Sequence, residues 1–338
     1  MFQKGYTIMN NKAFNAHSLY IIRNKSFDII YKIFRAVILF GFCFLILQPL
    51  LNKISVSFMM EQDLYDATVI SIPRNFSTDN YSIAMDLLDY WATLIQTIII
   101  IIISAALQVI ACTLAAYGFA RYKFPGRSVL FMCVFLIIIV PPQTILSSLY
   151  LNFQFFDIFG LVKLITGRNI NLLGSLTGYL LLSATAMGLK SGLYIFLLRQ
   201  YFRGVPKELE EAAYVDGCGR LYTFGRIMLP DALPMLTSCF LFSFVWQYTD
   251  TLFSQLFLRS YKMMPIALSR LTESFTRYWA TINAVGSGGS GIMAQPPVGY
   301  VQAVVATGVL VALVPLIILY LVAQKAFVES LSQTGIKM

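Results

Sequence analysis

The stretch Leu94-Ile-Gln-Thr-Ile-Ile-Ile-Ile-Ile-Ile-Ser-Ala-Ala-Leu-Gln-Val-Ile-Ala-Cys-Thr-Leu-Ala-Ala116 decides the architecture, because it carries no charge and holds six consecutive isoleucines, Ile98 to Ile103. A run of this length crosses the roughly 30 Å of a bilayer's hydrocarbon as a helix. Only lipid can cover so continuous an apolar surface. Five further stretches read the same way. Residues 36–51 form the first, extended back toward residue 29 with Lys32 and Arg35 snorkelling to the surface. Residues 129–151 follow, interrupted by Pro141-Pro142, then 177–198, 232–257 and 301–323. About 35 residues precede the first stretch and no small-residue cleavage site follows it, so it does not read as a cleaved signal peptide. A β-barrel is excluded, since its strands would alternate in segments of about ten residues.

Composition agrees. Of 338 residues 58% are apolar and 12% charged, against about 45–50% and 25% in soluble domains. The mean hydropathy is +0.71. The chain is therefore read as all-α, a polytopic membrane protein with six transmembrane helices. The net charge of +9 would suggest nucleic acid in a soluble protein, but its placement points elsewhere. The N-terminal tail carries Lys4, Lys12, Arg23, Lys25, Lys32 and Arg35; the loop after the second span carries Arg121, Lys123 and Arg127. Arg199, Arg203, Lys207, Arg220 and Arg226 follow the fourth span, and Lys325 and Lys337 the sixth. The loop 52–91 has only Lys53 and Arg74 against six acids. By the positive-inside rule both termini lie in the cytoplasm, and no nucleic-acid partner is needed.

Five cysteines, Cys43, Cys112, Cys133, Cys218 and Cys239, show no metal-type spacing, and the single histidine, His17, builds no site alone. No metal or cofactor is expected. No GxxxxGK[ST] phosphate cradle occurs, nor a nucleophile–base–orienter set. The chain is thus read as a non-catalytic subunit.

The loop Arg203-Gly-Val-Pro-Lys-Glu-Leu-Glu-Glu-Ala-Ala-Tyr-Val-Asp-Gly-Cys-Gly219 holds the most information. Pro206 suits a first helical turn, Glu208, Glu210 and Glu211 complement the helix dipole, and Gly217 and Gly219 supply a stop. Leu209, Ala212, Ala213 and Asp216 fall on one face, small enough for another protein to approach closely. A second helical stretch, 220–228, leads into Leu229-Pro230.

Glu211-Ala212-Ala213, Asp216-Gly217, Ile227 and Leu229-Pro230 together resemble the EAA signature of binding-protein-dependent ABC importer permeases. The segment from Ala115 to Arg121 with Phe124-Pro125-Gly126-Arg127, the approach Phe196 to Arg203, and the tail from Gln324 to Lys337 resemble the carbohydrate-type permeases of the maltose and multiple-sugar class. The likeness runs from about residue 30 to the end. It implies a type I ABC importer permease fold, with a cytoplasmic tail at 1–28 and the first helix and outer loop at 29–91. A permease core follows at 92–325, with its coupling loop at 203–230, and a closing tail at 326–338. It further implies that Glu211, Ala212, Ala213, Asp216, Gly217, Ile227, Leu229 and Pro230 couple to a cytoplasmic ABC ATPase dimer. A second, non-identical permease, an extracytoplasmic solute-binding protein, a carbohydrate substrate and a bacterial inner-membrane location complete the expectation. Two departures fall on the outer side: enlarged loops at 162–175 and 276–297, the latter with a Gly-Ser run at 286–291. In span five, Trp246-Gln-Tyr248-Thr249-Asp250 resembles a W-x-W-N-D pattern with two positions changed.

Polar residues within the spans nominate a translocation path: Gln143, Lys190, Trp246, Tyr248 and Asp250. Lys190, nine residues before Arg199, would sit about 13 Å deep on a continuous helix. A charge there costs about 3 kcal/mol, so it faces a cavity, snorkels, or meets a partner such as Asp250. Gly188 and Gly192 flank it at the spacing of a close helix contact. Gln96 and Gln108 are further intramembrane polar groups. A secondary transporter would instead show inverted repeats with paired broken helices, and an intramembrane enzyme a convergent set of acids, histidines or metal ligands; neither pattern is evident.

Overall fold

The structure, a computed structural model, describes residues 2–66, 68–69, 72–157, 160–286 and 295–336. Most of the Gly-Ser run, and Lys337, lie outside these residues. The chain divides into two compact units, Met1–Ser77 and Thr78–Met338.

The first unit is one long helix, α1 (Phe2–Ser57), and a short closing loop. The apolar segment expected at 36–51 and extended back toward 29 lies within a span of Ile30–Ser57, and the helix that carries it continues back to Phe2 with no proline in residues 2–29 to end it. None of its most apolar window, within Ile30–Ser57, is buried. The loop beyond is fastened by an antiparallel bridge between Met59 and Phe76 and by stacking of Phe58 on Phe76, 4.8 Å between centroids. Asp63, 3% exposed, accepts the N–H of Arg74 at 2.8 Å and of Asn75 at 2.7 Å, and the Asn75 amide at 2.8 Å.

The Asn75 backbone N–H, joined by its side chain and the Arg74 N–H, holds the Asp63 carboxyl below its ordinary value against the opposing effect of burial. A depressed folded value means the stabilisation is present above the usual carboxylate range. It is lost as pH falls through the depressed value. Asp63→Asn should therefore speed amide exchange of Arg74 and Asn75 at neutral pH and remove the acid dependence expected of the parent.

The second unit begins with α2 (Asp79–Leu88) and α3 (Tyr90–Arg121), the quoted apolar run. The third expected span is two helices, α4 (Arg127–Ile139) and α5 (Pro142–Gln154), bent by 107°. Pro141 is extended because the ring of Pro142 disfavours a helical conformation in the residue before it, and Pro142 opens α5, where its missing N–H costs nothing. After α6 (Leu161–Thr166), the fourth expected span divides into α7 (Leu176–Ala184) and α8 (Ser191–Gly204). The segment 203–230 holds α9 (Glu208–Val215), α10 (Arg220–Thr223), a π-helical turn at Phe224–Met228 and α11 (Leu229–Asp231). Arg220–Asp231 and α12 (Leu233–Thr249) are bent by 74°. Then come α13 (Leu252–Phe257), α14 (Met264–Gly286) and α15 (Val298–Ile336), so residues 276–286 of the loop expected at 276–297 are helical instead.

Among the described residues three helices are long and apolar enough to cross a membrane unbroken, and two bent pairs could each form one more span. The reading of 177–198 as one continuous helix is thus corrected. Residues 185–190 form a turn, with Ala186 at φ 57° and Lys190 at φ 62°. Gly188 and Gly192 are not one stripe either. A Cβ on Gly192 would lie 2.9 Å from the Val134 carbonyl and 3.0 Å from Ile138, so this glycine admits α4 against α8. Gly188 lies in the turn and faces Gln108.

The apolar helix α3 is central, with α7, α8 and α12 packed on it, while α15 packs on α2, α12 and α14. One apolar cluster gathers Ile101, Leu182, Phe257, Met264 and Leu271; a second gathers Cys112, Tyr194, Leu198, Phe202 and Met228. Along α3 a polar layer separates them, with Ser104 and Gln108 fully buried.

Candidate functional site

The segment 203–230, expected from its resemblance to couple to an ATPase, is built on α9. Its stop is the one the sequence announces: Gly217 takes φ 79°, its N–H donates to Tyr214 O, and the Cys218 N–H donates to Ala213 O at 2.9 Å. This pair of bonds satisfies the last carbonyls of the helix and needs a left-handed residue after it. A Cβ on Gly217 would meet nothing within 4 Å, so glycine is required there by backbone conformation and not by space.

The expected common face is split by the structure. Ala213 is buried, while Leu209, Glu211, Ala212 and Asp216 are exposed. Val215, at 88% exposure, and Leu221, at 87%, extend the outward surface with apolar side chains. Ile227 and Leu229 are half-buried and Pro230 exposed where the loop returns toward α12.

Glu210, which sequence reasoning treats only as a dipole partner, turns inward. Its carboxylate accepts the Tyr117 hydroxyl at 2.8 Å and lies 3.3 Å from Arg121 Nε, with side chains 10% and 7% exposed. That ion contact lacks hydrogen-bond alignment. Arg121 also donates through Nη2 to the carbonyl of buried Val205 at 2.8 Å. The Tyr117 ring packs against Phe202 at 5.5 Å and Phe224 at 4.6 Å. The last turn of α3 is therefore clamped to both ends of the segment leading into α9. On the far side, Tyr201 on α8 donates to the Asp231 carbonyl at 2.6 Å. The available sequence signal was adjacency: two neighbouring glutamates on a short helix point about 100° apart, so one faces inward.

The polar layer is organised by Gln108 on α3. Its Nε2 donates to Leu189 O at 2.8 Å and Ser191 Oγ at 2.7 Å. Its Oε1 accepts from Ser243 Oγ at 2.7 Å and Gln247 Nε2 at 2.8 Å. Tyr179 OH donates to Gln247 Oε1 at 3.1 Å, and Ser104 pairs with Ser183 at 2.7 Å. One buried amide thus joins α3, the turn before α8, and α12.

Of the five residues nominated for a path, the structure brings two together. Lys190 Nζ stands 4.9 Å from the centroid of the Trp246 ring, which is 44% exposed. The pairing of Lys190 with Asp250 is not formed. Asp250 caps α13 instead, accepting the N–H groups of Phe253 at 2.9 Å and Ser254 at 3.2 Å. Tyr248 is buried and donates its hydroxyl to Ala312 O at 2.9 Å. Gln143 is exposed in the first turn of α5. A wide, open groove lies between α5 and α13, lined by Leu146, Tyr150, Leu252, Gln255 and Leu256. Gln96 accepts the Lys262 backbone N–H at 3.0 Å.

Residues 108–332 match the protein family described as "Binding-protein-dependent transport system inner membrane component". The maltodextrin transport system permease protein MdxG of Bacillus subtilis is 28% identical over 292 residues, 86% of this chain and 91% of that protein. The arabinooligosaccharides transport system permease protein AraQ of Halalkalibacterium halodurans is 27% identical over 299 residues, covering 87% and 92%. A chain from the crystal structure of a bacterial ABC transporter involved in the import of the acidic polysaccharide alginate superposes with a TM-score of 0.61 at 20% identity. That match covers 89% of this chain and 97% of the other.

Proposed function

This chain belongs to the family of binding-protein-dependent transport system inner membrane components, and on that premise we propose that it is one permease of an ATP-driven importer of saccharides. Similarity over 86–87% of this chain to permeases of maltodextrin and arabinooligosaccharide systems supports an oligosaccharide substrate. The observation that carries the reading is the coupling loop. Its helix is pinned from inside by Glu210 and turns Glu211, Ala212 and Asp216 outward.

An ATPase subunit docked on that outward face pushes α9. Because Glu210, Tyr117 and Arg121 fix α9 to the end of α3, the push moves the helix bundle as a body. The ATPase pair sits on the cytoplasmic side with both termini of this chain. A non-identical sister permease completes the path, and a solute-binding protein delivers the saccharide to the opposite face.

The experiment is uptake of labelled maltotriose and of an oligogalacturonate into proteoliposomes holding the permease pair, the ATPase and the binding protein. Uptake of at least one saccharide that requires ATP and every subunit supports the proposal. Uptake that persists without the ATPase would establish a secondary transporter instead.

A further inference from the structure

We propose that Lys190 and Trp246 form a subsite for a carboxylate-bearing sugar residue, so that the saccharide carried includes an acidic unit such as a uronate. The proposal rests on the saccharide-permease reading and names its substrate class.

Lys190 is held in a left-handed backbone, φ 62°, a conformation that costs any residue bearing a Cβ. Its turn is flanked by α7 and α8, which pack on the apolar α3, and the residue itself is half-buried. Gln108 fixes this arrangement by bonding the residues on either side, Leu189 through its carbonyl and Ser191 through its hydroxyl. Among the described residues no carboxylate stands within ion-pair distance of Lys190. The nearest acid in sequence to Trp246, Asp250, spends Oδ2 on two backbone N–H groups. What Lys190 does have is the Trp246 ring, with the ammonium 4.9 Å from its centroid and the indole 44% exposed.

A partly exposed indole beside an ammonium with no carboxylate within ion-pair distance suits a ligand with a flat apolar ring face and a negative group at its edge. A uronate residue has both: its C–H face packs on the indole and its carboxylate meets Lys190. A neutral sugar would use the ring and leave the charge unmatched. The competing source of a carboxylate is the sister permease, and the test separates the two.

The test uses the assembled transporter in proteoliposomes, with trigalacturonate and maltotriose as probes, comparing the parent with Lys190→Met, Lys190→Arg and Trp246→Leu. The expected result is trigalacturonate uptake by the parent and a ratio of trigalacturonate to maltotriose uptake at least tenfold lower in Lys190→Met. Lys190→Arg should keep the parent's ratio, and Trp246→Leu should lower uptake of both saccharides. Three results would overturn the subsite. One is maltotriose uptake by the parent with no trigalacturonate uptake, which leaves the permease reading intact. Another is a ratio unchanged in Lys190→Met. The third is loss of the sister permease on purification of Lys190→Met, which assigns the ammonium to a subunit contact. Failure of the parent to take up any saccharide would instead remove the reading on which the subsite rests.

Discussion

Glu210→Ala should abolish ATP-driven uptake and markedly lower the thermal stability of the purified permease. The substitution leaves Arg121, 7% exposed, buried beside the Val205 carbonyl without its counter-charge. Breaking a buried pair by removing one partner costs about 3–5 kcal/mol, whereas replacing both partners with apolar groups of similar volume is often neutral. The double variant Arg121→Met with Glu210→Leu should therefore recover most of the lost stability. It should not recover uptake in full, because the Tyr117 hydroxyl and the Val205 carbonyl lose the polar groups that index α9 to α3. Differential scanning fluorimetry in detergent reads the first effect and proteoliposome uptake the second. Equal stability of the single variant and the parent would show that the clamp is not formed in the membrane.

Gln108→Leu is expected to lower uptake at least tenfold through the turn before α8. Ser191 keeps its bond to the Gly188 carbonyl, and Ser243 and Gln247 keep each other. The Leu189 carbonyl loses the Gln108 amide, and a buried group stranded in this way costs about 1–3 kcal/mol. With both flanking bonds gone, the strained backbone at Lys190 relaxes and the ammonium leaves the Trp246 ring. Gly188→Ala reaches the same joint from the other side, since a Cβ there would lie 2.9 Å from Gln108 Nε2. Hydrogen exchange across residues 188–193 should quicken in both variants, while exchange in α14 stays as in the parent. Unchanged exchange at that turn would contradict the role given to Gln108.

The features legible in sequence were those with a local cause. The apolar run of α3, the break at Pro141-Pro142 and the stop at Gly217 each follow from a few neighbouring residues, and each stands where the pattern places it. The division of the fourth span was not legible. Residues 185–190 contain no proline and one glycine, and hydropathy averages over the turn. What holds it open is an amide on another helix, about eighty residues away in sequence. The clamp was hidden for a similar reason. Glu210 and Glu211 have the same side chain and the same helix-dipole rationale, and only the position of Arg121 and Tyr117 tells the inward one from the outward one. For Lys190 the sequence offered Asp250 as partner, but a short helix after Thr251 claims that carboxylate for its own first turn.

That same contrast between neighbouring residues gives the most direct test of the outward face of α9 as the ATPase dock. Ala212 is exposed and Ala213 is buried, so a tryptophan at residue 212 enlarges the outer surface without disturbing the packing beneath. The measurement is the amount of ATPase subunit retained by affinity-purified permease, parent against Ala212→Trp, with the melting temperature of each permease recorded alongside. The account predicts that Ala212→Trp loses the ATPase at an unchanged melting temperature. Full retention of the ATPase, with uptake equal to the parent's, would contradict it.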